Sequence, residues 1–383
     1  MTTFAGPYKT VFMASSEQEP MQINWQALTI GVLLALGVAA YMGYGYFRKL
    51  VLPNVPDKLA EEFLYIPTGT DYQGLVDTLV NHHFILNRED FEWVARKMSF
   101  DKRPVRSGRF KIQPGWTNRQ LITHLRAGKQ APVKLILTDE RYIKDIARKA
   151  ARYIEPDKQW LLDFLSSPDS LRPFGLTPEN VLTIFIPNTY EVYWNYTPAD
   201  LVRRMIKEKK RFWSKNHRLE KAKALGMTPD EVYTLASIVE RETNYNPEKP
   251  TIASVYLNRL RKGIKLQADP TCVFASGDYH ATRVTKYHLS FKSPYNTYLH
   301  EGLPPGPISM ASAASIDAVL NPDTTDYIFF CARPDNTGRH AFARTLRGHN
   351  VNVKRFRQYM AQREIERALA QAAKTDSIRQ MAN

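Results

Sequence analysis

Residues 235–271 read LASIVERETNYNPEKPTIASVYLNRLRKGIKLQADPT, a helix, a short break, a second helix and a turn. Thr228-Pro229 opens the first helix, with threonine as N-cap and proline at the first helical position. Val232, Leu235, Ala236 and Val239 recur at helical spacing and predict a core-facing stripe on a half-buried helix. Glu240 and Glu242 follow, on opposite flanks of the stripe, with Arg241 pointing away between them. The helix is expected to end near Asn246-Pro247, because a residue before proline is pushed out of the helical region. One or both acids then sit in the last helical turn. A glycosidic cut needs a carboxylic acid that still holds its proton near neutral pH, and burial is the usual way to keep one. Spacing alone leaves both glutamates open, as catalytic acids or as solvated surface residues.

The run ASIVERETNYNP, followed by VYLNRL and LQADPT, resembles the core signature of the endolytic murein transglycosylase, or YceG-like, family. It is also similar, more loosely, to the catalytic helix of soluble lytic transglycosylases, with the match running from Glu242 to Pro247. That alignment puts the family's catalytic acid on Glu242 and leaves Glu240 as a possible second acid. A second family-like stretch is Ser293 to Tyr298 with Gly302 to Ile308, and a third is Gly338 to Thr345. The family's Pro-Asp-Thr-Tyr is here Pro187-Asn188-Thr189-Tyr190, so no role can rest on a carboxylate at Asn188.

With 383 residues the chain can build two or three domains, and its 43% hydrophobic and 11% aromatic content is that of a folded protein. A net charge of +15 suits polyanionic surroundings. No Gly-rich phosphate loop, zinc-type spacing or helix-turn-helix signature accompanies it, so nucleic acid is not an expected partner. Anionic lipid and the carboxylates of cell-wall peptides fit better. Cys272 and Cys331 rule out a disulfide scaffold but leave open one bridge or two free thiols.

The expected fold class is α+β: an N-terminal transmembrane helix, a small LysM-like βααβ domain, then a mixed α/β catalytic domain. Residues 1–24 read as a disordered cytoplasmic tail. Residues 25–47 carry no charge, would span about 34 Å as a helix and have aromatic ends, so they read as a retained transmembrane anchor rather than a cleaved signal. Residues 48–58 are a proline-bearing linker. Residues 59–115 follow a strand-helix-helix-strand pattern, similar to the LysM-like domain of the family, and serve either as a glycan tether or as a spacer. Residues 116–180 form a connecting αβ subdomain and 181–350 the catalytic domain, opening with a buried strand over 184–190. Residues 351–383 are a charged C-terminal helix and a tail. Arg48 and Lys49 would place the main domain in the cytoplasm by the positive-inside rule; the resemblance implies the periplasmic or extracellular side of the bacterial inner membrane.

The resemblance implies cleavage of the β-1,4 bond between N-acetylmuramic acid and N-acetylglucosamine within a peptidoglycan strand, giving a 1,6-anhydro end and terminating nascent strands beside the wall-synthesis machinery. It implies no metal and no organic cofactor. Gln267, Asp269, Tyr295, Asn296 and Tyr298 are its candidate groove contacts, joined by Asn258 and His340. Asn258 and its neighbour Arg259 could equally be surface residues, and His340 structural. Two other readings stand beside this one. A muramidase-type hydrolase would use Glu242 with Glu240 or Asp269 holding water. A non-enzymatic protein would only bind wall and membrane.

Overall fold

The computed structural model describes residues 1–3, 6, 24–281 and 283–381, with the backbone alone over the last ten of these. The expected irregular tail at 1–24 falls mostly outside the described residues. The chain divides into two compact units. The first comprises residues 1–62, 71–105 and 112–128; the second comprises 63–70, 106–111 and 129–383.

The first unit holds helices α1 (Trp25–Val51), α2 (Tyr72–Asn81), α3 (Arg88–Lys97) and α4 (Asn118–Ala127). Helix α1 buries none of its residues and is long and apolar enough to cross a membrane. It runs past the uncharged stretch to Val51, and its last turn meets α3. Arg48 pairs with Asp90 at 3.0 Å, and Tyr46 meets the Trp93 ring edge-on at 4.9 Å. The stretch expected as a linker is partly buried. Asn54 donates to Asn118 Oδ1 at 2.7 Å and accepts from the Asn87 N–H at 2.8 Å, and Val55 is inaccessible. A buried asparagine with both ends bonded fixes this crossing.

The second unit carries strands β1 (Phe63–Ile66) and β2 (Gly108–Lys111), which pair antiparallel from Phe63 opposite Lys111 to Ile66 opposite Gly108. The strand-helix-helix-strand order expected over 59–115 is therefore present. Next come β3 (Val133–Leu137), α5 (Ile143–Ala150), α6 (Lys158–Ser166), α7 (Pro168–Leu171) and β4 (Asn188–Val192), with β3 antiparallel to β4. Of the buried strand expected at 184–190, Asn188–Tyr190 do open β4, whereas Ile184 closes a 3-10 turn at Val181–Ile184 and residues 185–187 between them are irregular.

Helices α8 (Pro198–Trp213), α9 (Arg218–Ala224), α10 (Pro229–Glu242), α11 (Lys249–Arg261), α12 (Asp269–Ser276), α13 (Lys286–Ser290) and α14 (Ala313–Leu320) build the remainder. They are followed by the antiparallel pair β5 (Phe329–Ala332) and β6 (His340–Ala343) and by α15 (Leu346–Met381). Helix α15 starts at Leu346 and continues to Met381, through most of the segment 351–383 expected as a charged helix and a tail.

Two apolar cores lie in this unit. One gathers β3, β4, α5, α6 and α8 around Leu135, Phe185 and Met205. The other surrounds α10 with α11 and α14, through Leu235, Ile252 and Val319. Helix α10 begins as expected, with a Thr228–Glu231 capping box and Pro229 at its first position. It is not half-buried, however: every residue from Val232 to Val239 is inside. Its polar residues are consequently bonded. Ser237 accepts from the Ile308 N–H at 3.0 Å, and Tyr233 donates to the Phe185 carbonyl at 2.6 Å while accepting from the Ala311 N–H at 3.1 Å. The Tyr233 hydroxyl thus ties one core to the other. Tyr233→Phe keeps the ring and strands two buried backbone groups, so it is expected to cost about 1–3 kcal/mol in denaturant unfolding of the chain.

Candidate active site

Helix α10 stops at Glu242, earlier than the proline alone required, because Thr243 turns extended (φ −149°). Thr243 is buried, and its hydroxyl accepts the Tyr245 N–H at 3.0 Å. A short 3-10 turn, Asn246–Glu248, leads straight into α11. The two acids leave the helix in different directions and meet different chemistry.

Glu240 turns towards the start of α14. Burial would raise its pKa, but hydroxyls of Ser312 and Ser315 and the Lys249 ammonium at 3.2 Å outweigh this and lower it. Ser312 is also the N-cap of α14. Glu240 is therefore a charged fastener between three helices and lines neither of the cavities described below. Arg241 points away from the stripe, as expected, and pairs with Asp139 at 2.6 Å.

Glu242 turns into a cavity of ≈ 500 Å³. Burial pushes its pKa up to about 7; a hydrogen bond from the Tyr256 hydroxyl opposes the shift and the Asp269 charge adds to it. Tyr256 lies on α11, fourteen positions away, and its own pKa is raised well above the ordinary value by burial and by Glu242. The result is a carboxyl that keeps its proton near neutral pH, which is what a general acid requires.

Of the candidate groove contacts, Gln267, Asp269, Tyr298 and His340 line the same cavity. Asp269 begins α12 and accepts from the Tyr298 hydroxyl. Gln267 sits at φ +51°, in the left-handed region, and its side-chain oxygen accepts from Arg259. Strain of this kind costs roughly 1 kcal/mol or more and persists where the surroundings hold it. Among the described residues nothing accepts from the Gln267 amide nitrogen, which leaves it able to donate to a ligand. His340 opens β6; its N–H and Nδ1 both meet the Glu248 carboxylate, at 2.9 and 3.0 Å, and its ring packs edge-on against Phe330.

Three candidates stand elsewhere. Asn258 is 9% exposed and donates to the Thr325 and Tyr327 carbonyls at 2.7 and 3.0 Å, holding the approach to β5. It is neither a surface residue nor a cavity residue. Asn296 is inaccessible and donates to the carbonyls of His288, Leu289 and Phe291, closing its own loop. Tyr295 packs on Phe274 at 4.9 Å, behind a second cavity of ≈ 250 Å³ that also opens onto Glu242 and Asp269. Sequence reasoning missed Tyr256, Phe330, His349 and Arg259. Arg259 is buried, its guanidinium spent on the Lys265 and Ile328 carbonyls and on Gln267. Cys272 and Cys331 are free thiols, and burial holds Cys272 up at about 11, an inert thiol. Among the described residues no group of three or more His, Cys, Asp or Glu could hold a metal.

A carboxyl pushed up to about 7 beside a second carboxylate, in a cleft with aromatic and amide walls, is an arrangement capable of the acid–base chemistry used on glycans. The YceG-like family model matches residues 64–355, and the chain belongs to that family. The endolytic murein transglycosylase of Bacillus subtilis (strain 168) is 27% identical over 327 residues, covering 81% of this chain and 89% of the relative. The protein of that name from Streptococcus pneumoniae serotype 2 (strain D39) is 24% identical over 356 residues, covering 84% of this chain and 63% of the relative. A solved yceG-like protein of Listeria monocytogenes is 28% identical and covers 75% of this chain and 97% of that one, with a TM-score of 0.49.

The raised Glu242 pKa has a stability consequence. The folded state holds this proton more tightly than the unfolded chain. The group's contribution is therefore fully present below the ordinary carboxyl range and is lost as pH rises through about 7. Glu242→Gln removes that loss. Its melting temperature is expected to exceed the wild type's at pH 8 and to approach it at pH 5, with a pH 8 gain of up to about 3 kcal/mol. Thermal scans at the two pH values read this directly.

Proposed function

We propose that this chain is a membrane-anchored endolytic lytic transglycosylase of peptidoglycan, cleaving the N-acetylmuramic acid to N-acetylglucosamine bond and leaving 1,6-anhydro ends. The observation that carries the reading is Glu242, a carboxyl pushed up to about 7 by burial inside a cleft. Membership of the YceG-like family and relatives named endolytic murein transglycosylases support it. Glu242 protonates the leaving glycosidic oxygen. The carboxylate so formed then accepts the proton of the muramic C6 hydroxyl, whose oxygen closes the anhydro ring on C1. No water enters, so one acid–base group suffices. Tyr256 holds the Glu242 carboxyl in place, and its hydroxyl stabilises the ionised form between the two steps. Gln267, Asp269, Tyr298 and His340 supply amide, carboxylate, hydroxyl and imidazole contacts to the sugars. Glu240 plays no part in the chemistry, since it lines neither cavity and its Oε2 is held by Ser312, Ser315 and Lys249.

Helix α1 anchors the enzyme in the inner membrane in a single pass, with the catalytic unit on the periplasmic or extracellular side where the glycan lies. The βααβ order at residues 59–115 serves as a LysM-like tether to the strand, and the site works on nascent strands beside the wall-synthesis machinery. One observation favours a second reading. Asp269 is another carboxylate on the cavity and could hold a water, making the enzyme a hydrolase of the muramidase type.

Digestion of purified sacculi, with products separated by mass spectrometry, tests both. Wild type is expected to yield anhydro ends, and reducing ends would favour the hydrolase. Glu242→Gln is expected to lose about 10²–10⁴-fold in rate. The wild-type rate is expected to fall on the alkaline side with an apparent pKa near the Glu242 value of about 7. Full cleavage by Glu242→Gln would remove the acid–base role. Sacculus binding without any wild-type cleavage would favour a non-enzymatic anchor.

A further inference from the structure

The Glu242 carboxyl faces two cavities, and their cations are held differently. In the larger one Arg259 is buried and committed to carbonyls and an amide. The smaller one, ≈ 250 Å³, has Arg141 and Arg241 on its wall together with Phe274. Arg241 is neutralised by Asp139 at 2.6 Å. Phe274 continues outward as an aromatic shelf: Tyr142 stacks on it with ring centres 5.1 Å apart, and Tyr279 lies 4.4 Å from Tyr142. Two cations rest on this shelf. Lys144 Nζ is 5.2 Å from the Tyr142 ring and 5.5 Å from Tyr279, and the Arg141 guanidinium is 5.8 Å from Tyr279.

Further along the same segment the cations are spent, Arg148 on Asp145 and Lys149 on Glu140. Arg141 and Lys144 have no carboxylate partner among the described residues. Two positive charges without an ion-pair contact among the described residues, oriented by ring faces at the edge of the cleft, call for a negative ligand beside the bond being cut.

A strand of alternating N-acetylated sugars has no charge on its rings. Its negative charge lies in the peptides carried on the lactyl group of each muramic residue, next to the bond at issue. We infer that Arg141 and Lys144, on the Tyr142–Phe274–Tyr279 shelf, bind the carboxylates of these stem peptides. The enzyme would thereby select peptide-bearing strands over peptide-free ones. The inference rests on the proposed glycan-cleaving function and deepens it.

The test uses the full-length chain in detergent and two substrates, glycan strands with intact stem peptides and the same strands stripped by an amidase and then coupled to methylamine, which caps the lactyl carboxylate that the amidase frees. The readout is the ratio of kcat/KM on the first to that on the second. Wild type is expected to prefer peptide-bearing strands, with the preference shrinking between 0.05 and 0.5 M salt, concentrations of about 14 and 4 Å screening length. The double variant Arg141→Gln, Lys144→Gln is expected to lower the ratio about three- to tenfold, as two partly exposed ion pairs would. Arg141→Lys with Lys144→Arg is expected to keep it. A ratio near one in wild type, or one that the double variant leaves unchanged, overturns the inference while the glycan-cleaving function stands. Wild type that cuts neither substrate overturns both.

Discussion

The second unit depends on one conflict: a helix buried along its middle must deliver a polar carboxyl at its end. Burial of an isolated ionised carboxylate is too costly to persist, so the group either finds a cation or keeps its proton. The structure uses both solutions two residues apart. Glu240 has Lys249 and two serine hydroxyls and stays charged. Glu242 meets a phenol and a nearby carboxylate instead, and keeps its proton. The same backbone geometry thus yields a fastener and an acid. What separates them is which element each flank of the helix meets.

Holding the acid in place requires the helix itself to be immobile. Its interior hydroxyls, on Tyr233 and Ser237, bond backbone groups of the segments at 185 and 308–311 that would otherwise be stranded. Thr243 then breaks the helix within one residue of the acid. Asn258 and Arg259 do comparable work from α11: they bond carbonyls at 325, 327 and 328 and so draw β5 up to form the far wall.

What the sequence could reveal follows from how far apart in the chain the cooperating groups lie. The start of α10, the apolar length of α1 and the split of Glu240 and Glu242 to opposite flanks are local properties, set by capping and by periodicity, and all were readable. The charge state of each acid was not. It depends on Ser312 and Ser315 in one case and on Tyr256 and Asp269 in the other, groups brought close only by the tertiary fold. The same reason hid Arg259, which has a surface residue's composition and a buried residue's partners. The resemblance singled out Glu242 as the family's acid, and the geometry gives the physical ground on which the two glutamates differ. It also singled out Asn258 and Asn296, whose amides prove to be occupied by backbone carbonyls, since a motif marks structural and chemical positions alike.

Three features around the cavity each work against stability: a carboxyl raised to about 7, a glutamine at φ +51° and a buried guanidinium whose pKa burial lowers. Consistent folds place such features where function demands them and compensate elsewhere. Here the compensation is adjacent. The core around α10 is apolar on every side, and the guanidinium that burial penalises is the one that bonds Gln267 and anchors β5. Arg259 therefore couples the strain at one wall to the position of the other. The cleft is held open by interactions that would relax if it collapsed, and an emptier or more flexible core could not sustain it.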